Sequence, residues 1–371
     1  MPRAFISIGA NVRRFGNLPP LALVNMFAEA TPTDQGGVAL QSRPGLSQSY
    51  EVGSGPVTGI FQQPGLFNGD ILTVSDGNLY RGTTLVGAIV GSGPVSFASS
   101  LAEVVITAGS TLYSYDGTTL SAVAFPDGAS VTAVAYLSGY FIAARADTGR
   151  FYWSAVNDGT TWDALDFANA ESSADALRDI KVVNEELWLI GQDTIEPWRP
   201  NASVDPPFFR LEGRIITKGV MATGCARALD NTLFWPGDAG VVFRASGVPQ
   251  RVSNHAIEER LKVATDVLGF AFYWEGHGFY GLRIDDECHL FDVASGEWTT
   301  FSTLGLDSYN VLCAENVATV PYFGGHDDGT IWVWDGFADG ASQLERRFTV
   351  GVPIDGGTFA IDDISLTVNC G

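Results

Sequence analysis

One element recurs seven times along the chain: a short aromatic-rich strand followed by a tight turn, usually with glycine. It reads NLYRG (78–82), TLYSYDG (111–117), RFYWSAVNDG (150–159), TIEPW (194–198), GVVFRASG (240–247), HLFDVASG (289–296) and TIWVWDG (330–336). Successive copies start roughly 33 to 49 residues apart, the spacing of a four-stranded propeller blade.

Two further strand-like runs precede each aromatic strand. VSFA (95–98) and EVVIT (103–107) come before TLYSYDG, and VTAVA (131–135) and YFIAA (140–144) before RFYW. DIKVV (179–183) and ELWLI (186–190) come before TIEPW; later pairs are ATGCA (222–226) with TLFW (232–235) and GFAFY (269–273) with GFYGL (278–282). A fourth run follows, as in LSAVA (120–124) and EWTTF (297–301). The first run of each unit is built of small and β-branched residues, which suits a narrow inner strand around an axis. The aromatic second and third strands fill the wider space between blades. A blade cannot bury both faces alone, so neighbours and ring closure must do it. A β-sandwich also uses short, evenly spaced strands, but seven-fold recurrence favours an all-β propeller of about seven four-stranded blades. Six plus an irregular unit is the alternative count.

Three segments fall outside the repeat. Residues 1–50 hold the strand-like FISIG and a Pro-rich passage around Pro19 and Pro20, and are expected to pack on or close the propeller of residues 51–351. Residues 352–371, with the alternating FAIDDISLTV (359–368), are expected to supply a closing strand or the start of another domain. HAIEERLKVA (255–264) reads as a helix, with Asn254 as N-cap, Glu258 and Glu259 in its early turns, and Ile257 and Leu261 on one face.

Composition removes several function classes. With 42 acidic and 21 basic residues the net charge is −21, so the chain cannot offer the broad cationic footprint that sequence-independent DNA binding needs. A lumen past which DNA slides suits this acidity. The cysteines Cys225, Cys288, Cys313 and Cys370 lack CxxC spacing and read as buried thiols. No apolar run approaches a membrane span, and the opening MPRAFISIGANVRRFG lacks a signal-peptide core, so synthesis in the cytoplasm is expected.

No catalytic, cofactor or metal site emerges. Asp158-Gly159-Thr160-Thr161-Trp162 approaches the Asp-box of sialidase-like propellers, with Asn157 and Ala155 where the box has Asp and Ser; Asp328-Gly329-Thr330-Ile331-Trp332 is a weaker copy. Such boxes stabilise a turn away from the chemistry. The acidic pairs Glu185-Glu186, Glu258-Glu259, Asp285-Asp286, Asp327-Asp328 and Asp362-Asp363 are adjacent in sequence and diverge, whereas glycoside hydrolysis needs carboxyls facing each other about 5–9 Å apart. His255, His277, His289 and His326 show no metal spacing and no Ser-His-Asp pattern. GSG at 53–55 and again at 91–93 precedes proline and marks connectors between blades, since a phosphate loop would need a following Lys-Ser/Thr. The open alternatives are a sialidase-like glycosidase and a monomeric binding propeller.

LVNMFAE (23–29) and SRPGL (42–46) resemble the opening of the packaged-DNA stabilisation proteins of short-tailed bacteriophages. The resemblance continues through FYWSAVNDGTTWDALDFANAESSADAL (151–177), DIKVVNEELWLIGQDTIEPW (179–198), ITKGVMATGCARALDNTLFW (216–235) and VPQRVSNHAIEERL (248–261). It implies a propeller-containing subunit of a tail hub or nozzle, arranged as a ring, commonly of six copies, below the portal and adaptor proteins. Such a ring helps retain packaged DNA, forms the conduit for its exit, and presents a site for a tail needle, fibre or spike. The resemblance implies no enzyme and no cofactor. It places the protein in the virion, assembled in the host cytoplasm. The family pattern continues into a further β-rich part after ISLTVNCG (364–371), so the chain is expected to be a short member or a fragment.

Overall fold

The aromatic strand that recurs in the sequence is the third strand of every blade. The computed structural model describes residues 22–30, 38–201, 205–303 and 308–349. FISIG, residues 352–371, Asp362-Asp363 and Cys370 lie outside them.

Seven antiparallel sheets form the blades. Blade one is Val57–Phe61, Leu72–Ser75, Asn78–Arg81 and Thr84–Ala88; blade two is Ser96–Ser99, Val104–Thr107, Leu112–Tyr115 and Leu120–Ala122. Blade three is Val131–Leu137, Tyr140–Arg145, Arg150–Trp153 and Phe167–Asn169; blade four is Leu177–Val183, Glu186–Gly191, Ile195–Pro200 and Phe208–Arg210. Blade five is Arg227–Leu229, Thr232–Pro236, Val242–Ala245 and Gln250–Arg251; blade six is Val267–Trp274, His277–Ile284, Glu287–Asp292 and Trp298–Phe301. Blade seven takes Cys313–Val317, Val320–Gly324 and Thr330–Trp334 from its own stretch, and its outer strand, Leu46–Glu51, from before blade one.

This borrowed strand closes the ring. It crosses residue 50, so the propeller begins a few residues before the expected boundary. Blade six is widened in turn: Leu23–Val24 pairs in parallel with its outer strand, and Arg347–Phe348 pairs antiparallel with Leu23–Val24. Both ends of the described chain therefore meet on one side of the ring. The GSG segments at 53–55 and 91–93 lead into blades one and two, as connectors should.

The second strands carry the core. Every residue of Glu186–Gly191 and of His277–Ile284 is buried. Apolar clusters fill each gap between adjacent blades. Phe151, Leu187 and Trp198 join blades three and four, and Trp188, Trp235 and Tyr280 join four, five and six. Phe272, Phe279 and Trp334 join six and seven, and Val57 with Ile331 joins seven to one. The hairpins use the expected chemistry: Asn184-Glu185 and Asp230-Asn231 sit at positive φ in both positions, as a two-residue turn matched to strand twist demands.

Two expectations need correction. The helix runs His255–Leu261, not to residue 264. Asn254 caps it by accepting from the Ile257 N–H at 3.1 Å, and Ile257 and Leu261 are buried. It ends early because the backbone N–H groups of Thr265 and Asp266 are both drawn to Asp285 Oδ1, at 2.9 and 3.0 Å, to start blade six. The inner strand of blade five is Arg227–Leu229, just after ATGCA. The carbonyls of Gly224 and Cys225 are committed to blade six, accepting from the Gly269 N–H and the Tyr280 hydroxyl, so that stretch cannot pair with its own blade.

Candidate functional site

The segments that stood outside the repeat, LVNMFAE and SRPGL, build a buried polar clasp. The Arg43 guanidinium donates from Nε to Asn25 Oδ1 at 2.9 Å, and from Nη1 to the Pro44 carbonyl and Asp339 Oδ1 at 2.9 and 2.8 Å. Its Nη2 donates to the Ser302 carbonyl and Asp339 Oδ2 at 3.2 and 2.6 Å. All five donors of the side chain are thus used. The guanidinium also lies 4.6 Å from the Tyr309 ring centroid, a stacked cation position. Asn25, at φ 55°, spreads its amide across the seam, donating to the carbonyls of Ser302 and Glu345. Asp339 Oδ1 also accepts from the Leu46 N–H at 3.1 Å, which fixes the start of the closing strand.

Close backbone contact completes the clasp. A Cβ on Gly45 would lie 2.1 Å from the Ala338 carbonyl oxygen, and one on Gly329 1.7 Å from that of Val52. Only glycine fits at either end of the closing strand. Phe27 packs edge-on against His277, with ring centroids 4.7 Å apart.

The second site is the axial channel. Two contiguous cavities of about 430 and 360 Å³ share Phe61, Phe97 and Lys181 in their walls. Lys181 Nζ donates to Asp179 Oδ1 at 2.6 Å. Arg227 and Glu315 line the smaller cavity. Burial pushes the Glu315 carboxyl up to about 7, and burial also holds the Lys181 ammonium below its ordinary range.

The structure gives the Asp-box remnants and two of the acidic pairs structural partners. Asp158 Oδ1 accepts from the Thr160 N–H and hydroxyl at 2.8 and 2.6 Å, and Trp162 Nε1 donates to the Gly159 carbonyl at 2.8 Å. Trp162 packs on Phe125 at 5.5 Å, so the Asp-box remnant is a turn lock. Asp328 Oδ1 likewise accepts from the Thr330 N–H. Two of the acidic pairs have separate partners: Glu186 is buried between Arg199 and Arg214 while Glu185 occupies a hairpin turn, and Glu258 accepts from Ser253 while Glu259 pairs with Lys262.

One arrangement has no sequence signature. Thr300 Oγ1 lies 3.2 Å from His289 Nδ1, whose Nε2 is 2.7 Å from Glu287 Oε2. The order is that of a hydrolytic triad. Yet His289 is buried, Thr300 pairs with Val24 under the added strand, and none of the three lines the axial cavities. Glu287 also accepts from Arg260, so the line ties the helix to blade six. The thiols of Cys225, Cys288 and Cys313 are pushed up by burial to about 12, which leaves them unreactive. Among the described residues no group of three His, Cys, Asp or Glu side chains is placed to hold a metal, and no helix is long and apolar enough to cross a membrane.

Comparison with curated proteins gives no match. Among solved structures, BBS1N in complex with ARL6DN is 10% identical with a TM-score of 0.54, covering 80% of this chain and 99% of that one. The Cps50 (Swd1) β-propeller domain from Myceliophteria thermophila is 11% identical with a TM-score of 0.50, covering 78% and 99%. The extracellular domain of the one component system BT4673 from B. thetaiotaomicron is 12% identical with a TM-score of 0.53, covering 84% of this chain and 45% of that one. These likenesses speak for the fold alone. A family model described as bacteriophage P22 Gp10, beta-propeller, matches residues 6–301, a span that holds the Asn25–Arg43 half of the clasp and six of the seven blades. The chain belongs to this family of phage stabilisation propellers.

Proposed function

We propose that the protein is a structural component of a short-tailed phage virion, a subunit of the tail hub or nozzle ring beneath the portal and adaptor proteins. In this reading the ring helps retain packaged DNA, forms the conduit for its release and seats a tail needle, fibre or spike. The single observation that carries the reading is the family match, which includes the clasp-forming segment outside the blades as well as the blades themselves.

The geometry supports a division of labour. A B-DNA duplex is wider than its own major groove, about 12 Å, whereas one axial cavity of about 430 Å³ is lined at once by the inner strands of blades one to four, a space that does not admit a duplex. A DNA conduit therefore requires several copies around a common axis, with each propeller acting as a wall. A net charge of −21 suits such a wall, because it repels a passing polyanion instead of gripping it. Retention is then mechanical, with no bond made or broken.

Light scattering of the purified protein, alone and mixed with an assembled portal–adaptor ring, tests this. A multi-copy ring that forms on the adaptor is the expected result, six copies being the expected number. A protein that stays monomeric and ignores the adaptor would overturn the proposal.

A further inference from the structure

Arg227 stands on the inner strand of blade five, half-buried against the smaller axial cavity. Among the described residues its side chain makes one hydrogen bond, from Nη1 to the Ala226 carbonyl at 3.0 Å, and no ion pair within 4.0 Å. The other four of its five donors make no hydrogen bond to the described residues. That contrasts with Arg43, whose donors are all used, and with Arg199 and Arg214, both paired with Glu186. The Arg227 charge meets the field of Glu315 across the cavity without a hydrogen bond between them, and a planar guanidinium is shaped for two-point contact with an anion.

The surroundings specify the anion further. Lys181 lines the same cavity and shares one proton with Asp179, leaving two for a ligand. Phe61 and Phe97 form an apolar wall, their rings stacked at 5.3 Å and 15°. Glu315 borders the same space and adds negative charge that disfavours a dianion. The cavity has the volume of a small-molecule site, with one apolar wall and an otherwise polar lining.

We propose that the axial cavity binds a small organic monoanion, a carboxylate with an apolar body, whose charge is held by Arg227 with Lys181 beside it. The chain as a whole repels anions, so affinity must come from this local pair and not from a general field. The inference is independent of the ring assembly proposed above.

Calorimetric titration of the full chain with benzoate, against inorganic phosphate at matched ionic strength, tests it. Benzoate should bind with a dissociation constant of about 1 mM or tighter, and phosphate at least about tenfold more weakly. Arg227→Gln should weaken benzoate about tenfold or more, Lys181→Met by a smaller factor, and Glu315→Gln should tighten it. Phe97→Ala weakens benzoate through the wall alone, and serves if the arginine variant fails to fold. No benzoate binding at about 10 mM, equal affinity for phosphate, or benzoate affinity unchanged in a folded Arg227→Gln (or in Phe97→Ala, should the arginine variant not fold) would each overturn the assignment.

Discussion

Arg43 and Asp339, 296 positions apart in the chain, form a two-point ion pair with 0% and 2% of their side chains exposed. Arg43 precedes the strand that closes blade seven, and Asp339 follows the strand it closes upon. The pair thus joins the N-terminal segment to the end of the last blade at the one seam that backbone order does not cover. Removing one partner of a buried pair strands the other charge, a loss of about 3–5 kcal/mol. Arg43→Met should therefore lower unfolding stability by that amount in denaturant titrations. Arg43→Met with Asp339→Leu should recover much of it, and a purely additive double variant would show that the pair is not coupled.

Gly45 makes the same seam a matter of space. An added Cβ would sit 2.1 Å from the Ala338 carbonyl oxygen, a backbone atom that cannot swing aside. Gly45→Ala should cost about 1–3 kcal/mol or more through forced backbone shift. Gly247→Ala, where nothing lies within 4 Å, should change stability by no more than about 0.5 kcal/mol. Limited proteolysis should cut the closing strand in the first variant and leave the second intact.

The line from Arg260 through Glu287 to His289 sets a response to acid. The hydrogen bond from His289, with help from Arg260, holds the Glu287 carboxyl down at about 2. Burial holds the His289 imidazole below its ordinary range. Both folded-state values lie below the unfolded ones, so their stabilisation is present above the unfolded values, about 4.3 and 6.5, and fades as pH falls. Denaturant midpoints should drop from neutral to acid pH, and Glu287→Gln should flatten the part below about pH 4.5. An unchanged slope in that variant would remove Glu287 from the account.

What the sequence reveals depends on how local the physics is. The seven aromatic third strands are readable because each pairs with near neighbours through tight turns, and blade count follows from them. The helix is readable from Asn254 and the Ile257–Leu261 spacing. The clasp is not, because Arg43, Asn25 and Asp339 meet only after the ring has closed, and Ala338-Asp339-Gly340 looks like any turn. The Thr300–His289–Glu287 line is hidden for the same reason: Thr300 comes from the next strand, and register alone brings it to the ring. Blade five's inner strand is displaced because its neighbour claims the carbonyls of Gly224 and Cys225, a competition no local pattern records. Lys181 reads as an ordinary strand position and Arg227 as the residue after one, until the axis gathers them.

Glu315 gives the axial cavity an acid-base signature of opposite sign to that of Glu287. Burial raises its carboxyl to about 7, with Arg227 pulling the other way. A folded-state value above the unfolded one, about 4.3, stabilises the protein most at low pH, and the benefit is lost as pH rises through about 7. After allowance for its partial exposure, Glu315 should make the protein about 1–2 kcal/mol less stable at pH 8 than at pH 5 relative to Glu315→Gln. Since Glu287 is fully ionised across that window, the difference between wild type and variant isolates Glu315. Arg227→Gln should enlarge the effect, because the guanidinium is the charge that offsets the ionised carboxylate. A wild-type minus Glu315→Gln difference that stays flat from pH 5 to 8 would mean that the carboxylate is solvated, and that the cavity wall does not hold it from water.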